Sequence, residues 1–151
     1  MNLSFKNLSL ILLTSLIGIE SYGQELTVEI AHAIKYGKTD KFESFTSPEL
    51  INECVSVANG KKYSYLAISI KLKSMKSLKY FIEKGANIEG VCADKTPLMY
   101  AAKYGQLEMV KYLIEKGADL NASYRGNKAI NYAKQFNHTE IKNYLKEQKM
   151  H

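Results

Sequence analysis

The sequence has few of the residues from which metal and acid–base sites are built. Its 151 residues include only three histidines and two cysteines. None of the histidines has metal-ligand spacing relative to a cysteine. We interpret His32 as a helix-packing residue, His138 as a solvated turn residue and His151 as part of a tail. This scarcity argues against a metal centre and against a catalytic base built on histidine.

Motifs of the common enzyme classes are missing as well. The chain contains no Gly-x-Ser-x-Gly, His-Glu-x-x-His or Gly-x-Gly-x-x-Gly sequence. Gly37-Lys38-Thr39 resembles the end of a phosphate-binding loop, but that motif requires a glycine where His32 stands. The sequence therefore predicts a protein that is not an enzyme and needs no cofactor.

The first 23 residues differ in character from the rest of the chain. An apolar run over residues 8–19 follows Lys6, and Ser21-Tyr22-Gly23 precedes the polar Gln24. This layout is typical of a cleaved secretory signal peptide, with small residues at the first and third positions before the cut. The run is shorter than the roughly 20 residues of a membrane-spanning helix, although an uncleaved anchor is the alternative. We expect a mature protein from Gln24 onward, periplasmic or secreted and without stable membrane insertion, in a bacterial host.

The charge of the chain is basic but dispersed. Its formal net charge is +6, and the hydrophobic fraction of 46% is typical of a chain that folds around a core. The lysines are spread along the whole length, which indicates solvated helix faces before it indicates an anion-binding patch. We therefore predict no binding of nucleic acid.

An internal repeat organises the chain from residue 64 onward. Gly85-Ala86-Asn87-Ile88 recurs as Gly117-Ala118-Asp119-Leu120, at a spacing of 32 residues. Within one period, Thr96 and Pro97 suit the start of a helix that ends at Gly105. A second helix is predicted from Leu107 to Glu115, ending at Gly117. Each helical hairpin leaves an apolar face that only a stacked neighbour can cover.

These residues carry a resemblance to the ankyrin repeat. Thr96-Pro97-Leu98, Ala101-Ala102 and Gly117-Ala118-Asp119 are similar to the ankyrin consensus, whereas Met99 replaces the usual histidine. The resemblance implies an all-α fold, a solenoid of about four stacked helix–loop–helix units. The expected parts are a signal peptide (1–23), an atypical N-terminal capping repeat with a long connecting loop (24–62), two ankyrin repeats (63–90 and 91–122), and a C-terminal capping repeat with a tail (123–151).

The two cysteines, Cys54 and Cys92, lie about one repeat apart. An oxidising compartment would permit a disulfide bond between them. Their spacing leaves open whether they meet, because a disulfide requires Cα atoms within about 7 Å of each other.

Ankyrin-like proteins typically bind a partner through their concave side. By this resemblance, the residues just before each first-helix end are candidates for contact. Tyr36, Leu72, Tyr104 and Phe136, which we call the stripe, occupy this position in four successive units. The further candidates beside the stripe are Lys71, Lys103, Lys95, Tyr124 and Arg125. Packing against the neighbouring hairpin is the alternative role for these side chains.

The resulting hypothesis is a monomeric, exported, non-catalytic module that binds a protein partner. The mixture of aromatic and basic residues favours an acidic or amphipathic partner. Two alternatives stay open: an inhibitor or immunity protein against a toxin or enzyme, and a structural protein attached to the anionic cell envelope through its lysines.

Overall fold

The computed structural model describes residues 25–149, which form a row of stacked helical hairpins. The prediction of an all-α repeat fold is confirmed. The predicted signal peptide lies outside the described residues. None of the helices between residues 25 and 149 has the length and hydrophobicity needed to cross a bilayer. In chain order the elements are α1 (Val28–Tyr36), a 3₁₀ helix (Thr39–Ser44), β1 (Val55–Ser56), β2 (Lys62–Tyr63), α2 (Tyr65–Lys71), α3 (Met75–Glu83), α4 (Pro97–Lys103), α5 (Leu107–Glu115), α6 (Ala129–Gln135) and α7 (Thr139–Glu147).

Side-chain caps fix the starts of α2 and α4, each of which is the first helix of its repeat. The Thr96 Oγ1 atom accepts a hydrogen bond of 3.3 Å from the backbone N–H of Met99, and Pro97 occupies the first turn of α4. Ser64 caps α2 in the same way, accepting a bond of 3.2 Å from the N–H of Ala67. Such caps satisfy N–H groups that have no partner within the helix. Ser64, which stands in place of the consensus threonine, therefore caps α2 as Thr96 caps α4.

The apolar positions of the repeats form one continuous core. Leu98, Ala101 and Ala102 of α4 are buried, and the two small alanines let α4 pack closely between α2 and α6. The second helices α3, α5 and α7 pack mainly on their own first helices and less on one another. The first helices therefore form the more closely packed row of the stack, and the ankyrin resemblance implies that this row lies on its concave side.

The first unit consists of α1 and the 3₁₀ helix. Phe42 of the 3₁₀ helix is fully buried and stacks on Phe81 of α3, with ring centroids 4.9 Å apart. The Ser77 hydroxyl of α3 donates a hydrogen bond of 2.6 Å to the carbonyl oxygen of Ile34 in α1. These contacts join an atypical unit to the regular repeats.

The connection over residues 47–60 is more structured than a long loop. Strands β1 and β2 form an antiparallel hairpin in which Val55 pairs with Tyr63, and Val55 is fully buried. A disulfide bond joins Cys54, next to β1, to Cys92 in the loop between α3 and α4. The hairpin differs from the long connecting loop that the sequence predicts after the capping repeat within residues 24–62, because strands of two residues are too short to show an alternating pattern.

Candidate partner-binding surface

The stripe occupies equivalent backbone positions in successive units. Leu72, Tyr104 and Phe136 are the C-cap residues of α2, α4 and α6. The residue that follows each of them has a left-handed backbone, with φ of 58° at Lys73, 69° at Gly105 and 58° at Asn137. In the first unit Tyr36 ends α1, and Gly37 has φ of 60°. The chain thus reverses direction at the same point in each unit and places one large side chain there.

The aromatic members of the stripe are exposed to solvent. Tyr36 is 59% exposed, Tyr104 37% and Phe136 42%. Leu72 is only partly exposed because its side chain packs against the core. Exposed aromatic side chains at equivalent points of a concave surface are typical of binding sites rather than of cores.

Lysines connect the aromatic rings of neighbouring repeats. The Lys71 ammonium of α2 donates a hydrogen bond of 2.8 Å to the Tyr104 hydroxyl of the next repeat and lies 5.1 Å from that ring's centroid. One repeat later, the Lys103 ammonium lies 5.3 Å from the Phe136 ring centroid and 5.8 Å from that of Tyr104. Cation–π attraction holds each lysine close to a ring. Cations and rings therefore alternate along this part of the stripe, in the order Lys71, Tyr104, Lys103, Phe136.

The electrostatics of Lys71 keep its side chain charged. Partial burial would lower the pKa of Lys71, but the hydrogen bond to the Tyr104 hydroxyl and the Coulomb interactions with Tyr104 and Tyr63 outweigh this effect. The pKa of Lys71 consequently lies above its usual value. The ammonium is also 4.7 Å from the Tyr63 ring centroid. The surface thus presents a fixed positive charge at neutral pH.

Tyr63 and Tyr100, which the sequence did not single out as a pair, support the exposed Tyr104 ring. The ring of Tyr100 is parallel to that of Tyr104, with centroids 6.3 Å apart, and the edge of Tyr63 packs against Tyr100. The Tyr100 hydroxyl donates a hydrogen bond of 2.9 Å to Asp94. Burial and this bond to Asp94 raise the pKa of Tyr100. The placement of Tyr100 four residues before Tyr104, on the same helix face, was the available signal.

Lys95 is buried, although the sequence predicts an exposed loop-tip contact there. The residue is only 8% exposed, and its ammonium forms an ion pair with Asp94. The same ammonium lies 5.6 Å from the Tyr100 ring centroid and 5.2 Å from that of Tyr132. It is held by groups of its own chain, so its position does not fit direct contact with a partner.

The other flanking candidates lie further along the array. Arg125 is exposed, has φ of 49°, and places its guanidinium 5.4 Å from the Tyr124 ring centroid. Tyr124 is partly buried and packs against the core. These two residues lie in the loop before α6, and of the two only the Arg125 side chain is exposed to solvent.

His32 and His138 lie in surroundings that differ from those predicted, and His151 lies outside the described residues. His138 is partly buried, and its Nε2 atom lies 3.0 Å from the carbonyl oxygen of Lys103. A side chain at Gly105 would collide with this ring, because an added Cβ would lie 2.6 Å from the His138 Cε1 atom. His138 is therefore an inter-repeat contact and not a solvated turn residue. His32 is exposed beside the Tyr36 ring and is not a packing residue of the core.

The described residues 25–149 contain no group of His, Cys, Asp or Glu side chains that could hold a metal ion. The surface defined by the stripe is suited to holding another molecule through apolar and cationic contacts.

Comparison with known families agrees with this architecture. The family model described as "Ankyrin repeats (3 copies)" matches residues 30–124 and 66–151. No curated protein shows significant similarity to the chain.

Proposed function

The chain belongs to the ankyrin repeat family, and on that premise we propose that it is an exported module that holds a protein partner on the stripe. Ankyrin repeats indicate a protein–protein interaction module, and proteins built from them are typically non-catalytic. The proposal adds the binding surface and the export from the cytoplasm.

One observation carries the choice of surface. Tyr36, Tyr104 and Phe136 are exposed at the same point of three units, at the ends of the first helices. Large aromatic side chains supply much of the binding energy at protein interfaces, because they bury a large area at a small cost in conformational entropy. Cationic neighbours such as Lys71 add a polar contact beside the apolar one.

Two observations support export. Residues 1–23 have the layout of a signal peptide, as described above. The disulfide bond between Cys54 and Cys92 is the second, because such bonds persist in oxidising compartments and are rare in the cytosol. Each observation comes from a different part of the chain.

Affinity capture tests the proposed surface. Mature protein (residues 24–151) is used to capture partners from extracts of its own cells, beside a Tyr104→Asp, Phe136→Asp variant whose folding is verified by circular dichroism. We expect a partner that the unmodified protein captures and the variant loses, because each aspartate removes an apolar contact and adds a charge that must be desolvated.

A matched control separates the surface from a general effect of an added charge. Leu50 is 40% exposed, close to the exposure of Tyr104 and Phe136, and it lies in a segment that packs beside α3. The Leu50→Asp variant should capture the same partner as the unmodified protein. Equal capture by all three proteins would place the binding site elsewhere on the repeat array and overturn the role of the stripe.

A further inference from the structure

Lys71 and Lys103 lie against aromatic rings and form no salt bridge within the described residues. Each ammonium lies between 5 and 6 Å from the ring centroid of Tyr104, and Lys71 is anchored further by the hydroxyl of that tyrosine. In the part of the chain that the structure describes, no carboxylate is within salt-bridge distance of either lysine. Asp94 interacts with Lys103 through its charge, but its carboxylate oxygens bind Lys95 and the Tyr100 hydroxyl and make no direct contact with Lys103.

Charge is divided unequally between the two rows of helices. The first-helix segments, residues 64–74, 96–106 and 128–138, contain no aspartate or glutamate. The second-helix segments, residues 75–85, 107–117 and 139–149, contain five glutamates among their lysines. The lysines of the first-helix segments are Lys71, Lys73, Lys103, Lys128 and Lys134. In these three repeats the first-helix row is therefore basic, whereas the opposite row carries both signs.

We propose that the partner presents an acidic segment in which carboxylates alternate with apolar side chains. The carboxylates pair with Lys71 and Lys103, and the apolar side chains pack on the rings of Tyr104 and Phe136. This proposal rests on the proposed function, since it specifies the chemistry of the partner that occupies the stripe. The alternation follows from the order of cations and rings along the surface.

Two features favour an acidic polypeptide over a nucleic acid. The exposed rings are separated by lysines instead of forming a continuous platform on which successive bases could stack. The lysines are also held against rings, where they are less free to follow a phosphate backbone. An acidic segment gains both contacts at once, because its carboxylates and apolar side chains belong to the same chain.

Selection from a random-peptide phage library tests this proposal. Mature protein is immobilised, the enriched peptides are sequenced, and the most enriched peptide is synthesised with a fluorescent label for binding by fluorescence anisotropy. We expect enriched peptides with a net negative charge and apolar residues between the acidic ones. Their affinity should fall as NaCl is added, because salt screens charges at an exposed surface.

Variants of the two lysines give the sharper readout. The Lys71→Gln, Lys103→Gln variant should bind the selected peptide about tenfold more weakly or worse, since both charge-assisted contacts are removed. Lys146→Gln is the matched control, because Lys146 is an exposed lysine of α7 in the second row. That variant should bind the peptide as the unmodified protein does. Thermal melting of each variant verifies folding.

The outcomes separate the two proposals. Neutral or basic peptides that bind the unmodified protein but not the Tyr104→Asp, Phe136→Asp variant would overturn the acidic chemistry and leave the stripe as the binding site. Acidic peptides that bind all variants equally would overturn both. An absence of enriched peptides, or stronger binding of oligo-dT than of the selected peptide, would overturn the acidic segment.

Discussion

Single lysines and aromatic rings form the same contact on both rows of helices. On the second row, the Lys79 ammonium lies 5.3 Å from the Tyr112 ring centroid, and that of Lys111 lies 5.9 Å from the Tyr144 centroid. Each such contact is worth about 0.5–1 kcal/mol at an exposed site. The second-row rings are partly buried against the core, whereas Tyr104 and Phe136 are more exposed. This type of contact therefore joins the three regular repeats on both rows and leaves apolar surface available mainly on the first row.

Ser77 provides a test of how the first unit is attached. Its side chain is fully buried, donates to the carbonyl oxygen of Ile34, and lies 2.9 Å from the Ser74 hydroxyl. Ser77→Ala should destabilise the protein by about 0.5–1.5 kcal/mol, because the bond to Ile34 is lost while the Gly37 N–H still donates to that carbonyl. Thermal or urea denaturation measures this loss. Ser123→Ala, at an exposed position, should leave the stability unchanged, and equal stability of both variants would show that the bond contributes nothing.

Asp94 predicts a pH-dependent contribution to stability. Burial would raise its pKa, but hydrogen bonds from Lys95 and Tyr100 outweigh this effect and the pKa is lowered. A lowered pKa in the folded state means stability that is present above the unfolded pKa and is lost as the pH falls through the folded one. Asp94→Asn should therefore lower the melting temperature at neutral pH. The difference between variant and unmodified protein should shrink as the pH falls through the lowered pKa of Asp94, and a difference that stays constant over the acidic range would contradict this origin.

The helices α2, α4 and α6 end in one shared backbone geometry, but different residues adopt it. Glycine occupies the left-handed position after Tyr104, whereas Lys73 and Asn137 occupy it in the other two repeats. A side chain in this conformation costs roughly 1 kcal/mol, and asparagine tolerates it better than lysine does. The stripe therefore depends on a turn that the backbone of Lys73 adopts under strain.

Replacing Lys73 should relieve that strain. Lys73→Gly is expected to stabilise the folded protein by about 0.5 kcal/mol, after the greater freedom of glycine in the unfolded chain offsets part of the gain. Asn137→Gly is the matched comparison and should give a smaller gain. Urea denaturation distinguishes the two, and a loss of stability in Lys73→Gly would show that the lysine side chain makes contacts that outweigh the strain.

The disulfide bond ties the hairpin to the loop between α3 and α4. It spans a sequence separation of 38 residues, and closing such a loop is worth about 2–4 kcal/mol. The Cys54→Ser, Cys92→Ser variant should unfold at a correspondingly lower temperature. Adding dithiothreitol should lower the melting temperature of the unmodified protein and leave that of the variant unchanged. A reductant effect on both proteins would point to a cause other than this bond.

The regular helices could be predicted from the sequence, whereas the β1–β2 hairpin and the pairing of Cys54 with Cys92 could not. Helix α5 has the predicted bounds Leu107–Glu115, and α4 begins after the predicted cap Thr96, because capping residues and helical periodicity are local signals. The disulfide depends on a distance between two loops that no local pattern reports. The burial of Lys95 was missed for a similar reason, since it requires Tyr132 of the following repeat.

The two rows of the array differ in how closely their helices pack. Small side chains such as Ala101, Ala102 and Ala133 are buried in the first row, where α4 contacts both α2 and α6 closely. Stacked repeats act as one body in which each unit supports its neighbours. A partner on the concave side therefore meets a surface assembled from several units, none of which presents the alternation of cations and rings alone.

The export proposed above would constrain the partners of the whole molecule, because the compartment decides which proteins the stripe can meet. We predict that cells expressing the full chain accumulate a product that begins at Gln24 outside the cytoplasm, since the small residues Ser21 and Gly23 suit signal peptidase. Fractionation followed by intact-mass measurement tests this directly. A Gly23→Arg variant should retain residues 1–23, because a bulky charged side chain blocks the cleavage position. The exported product should also contain no free thiol, in agreement with the bond between Cys54 and Cys92. A full-length product in the cytoplasm with two reactive thiols would overturn export and would move the search for a partner to cytoplasmic proteins.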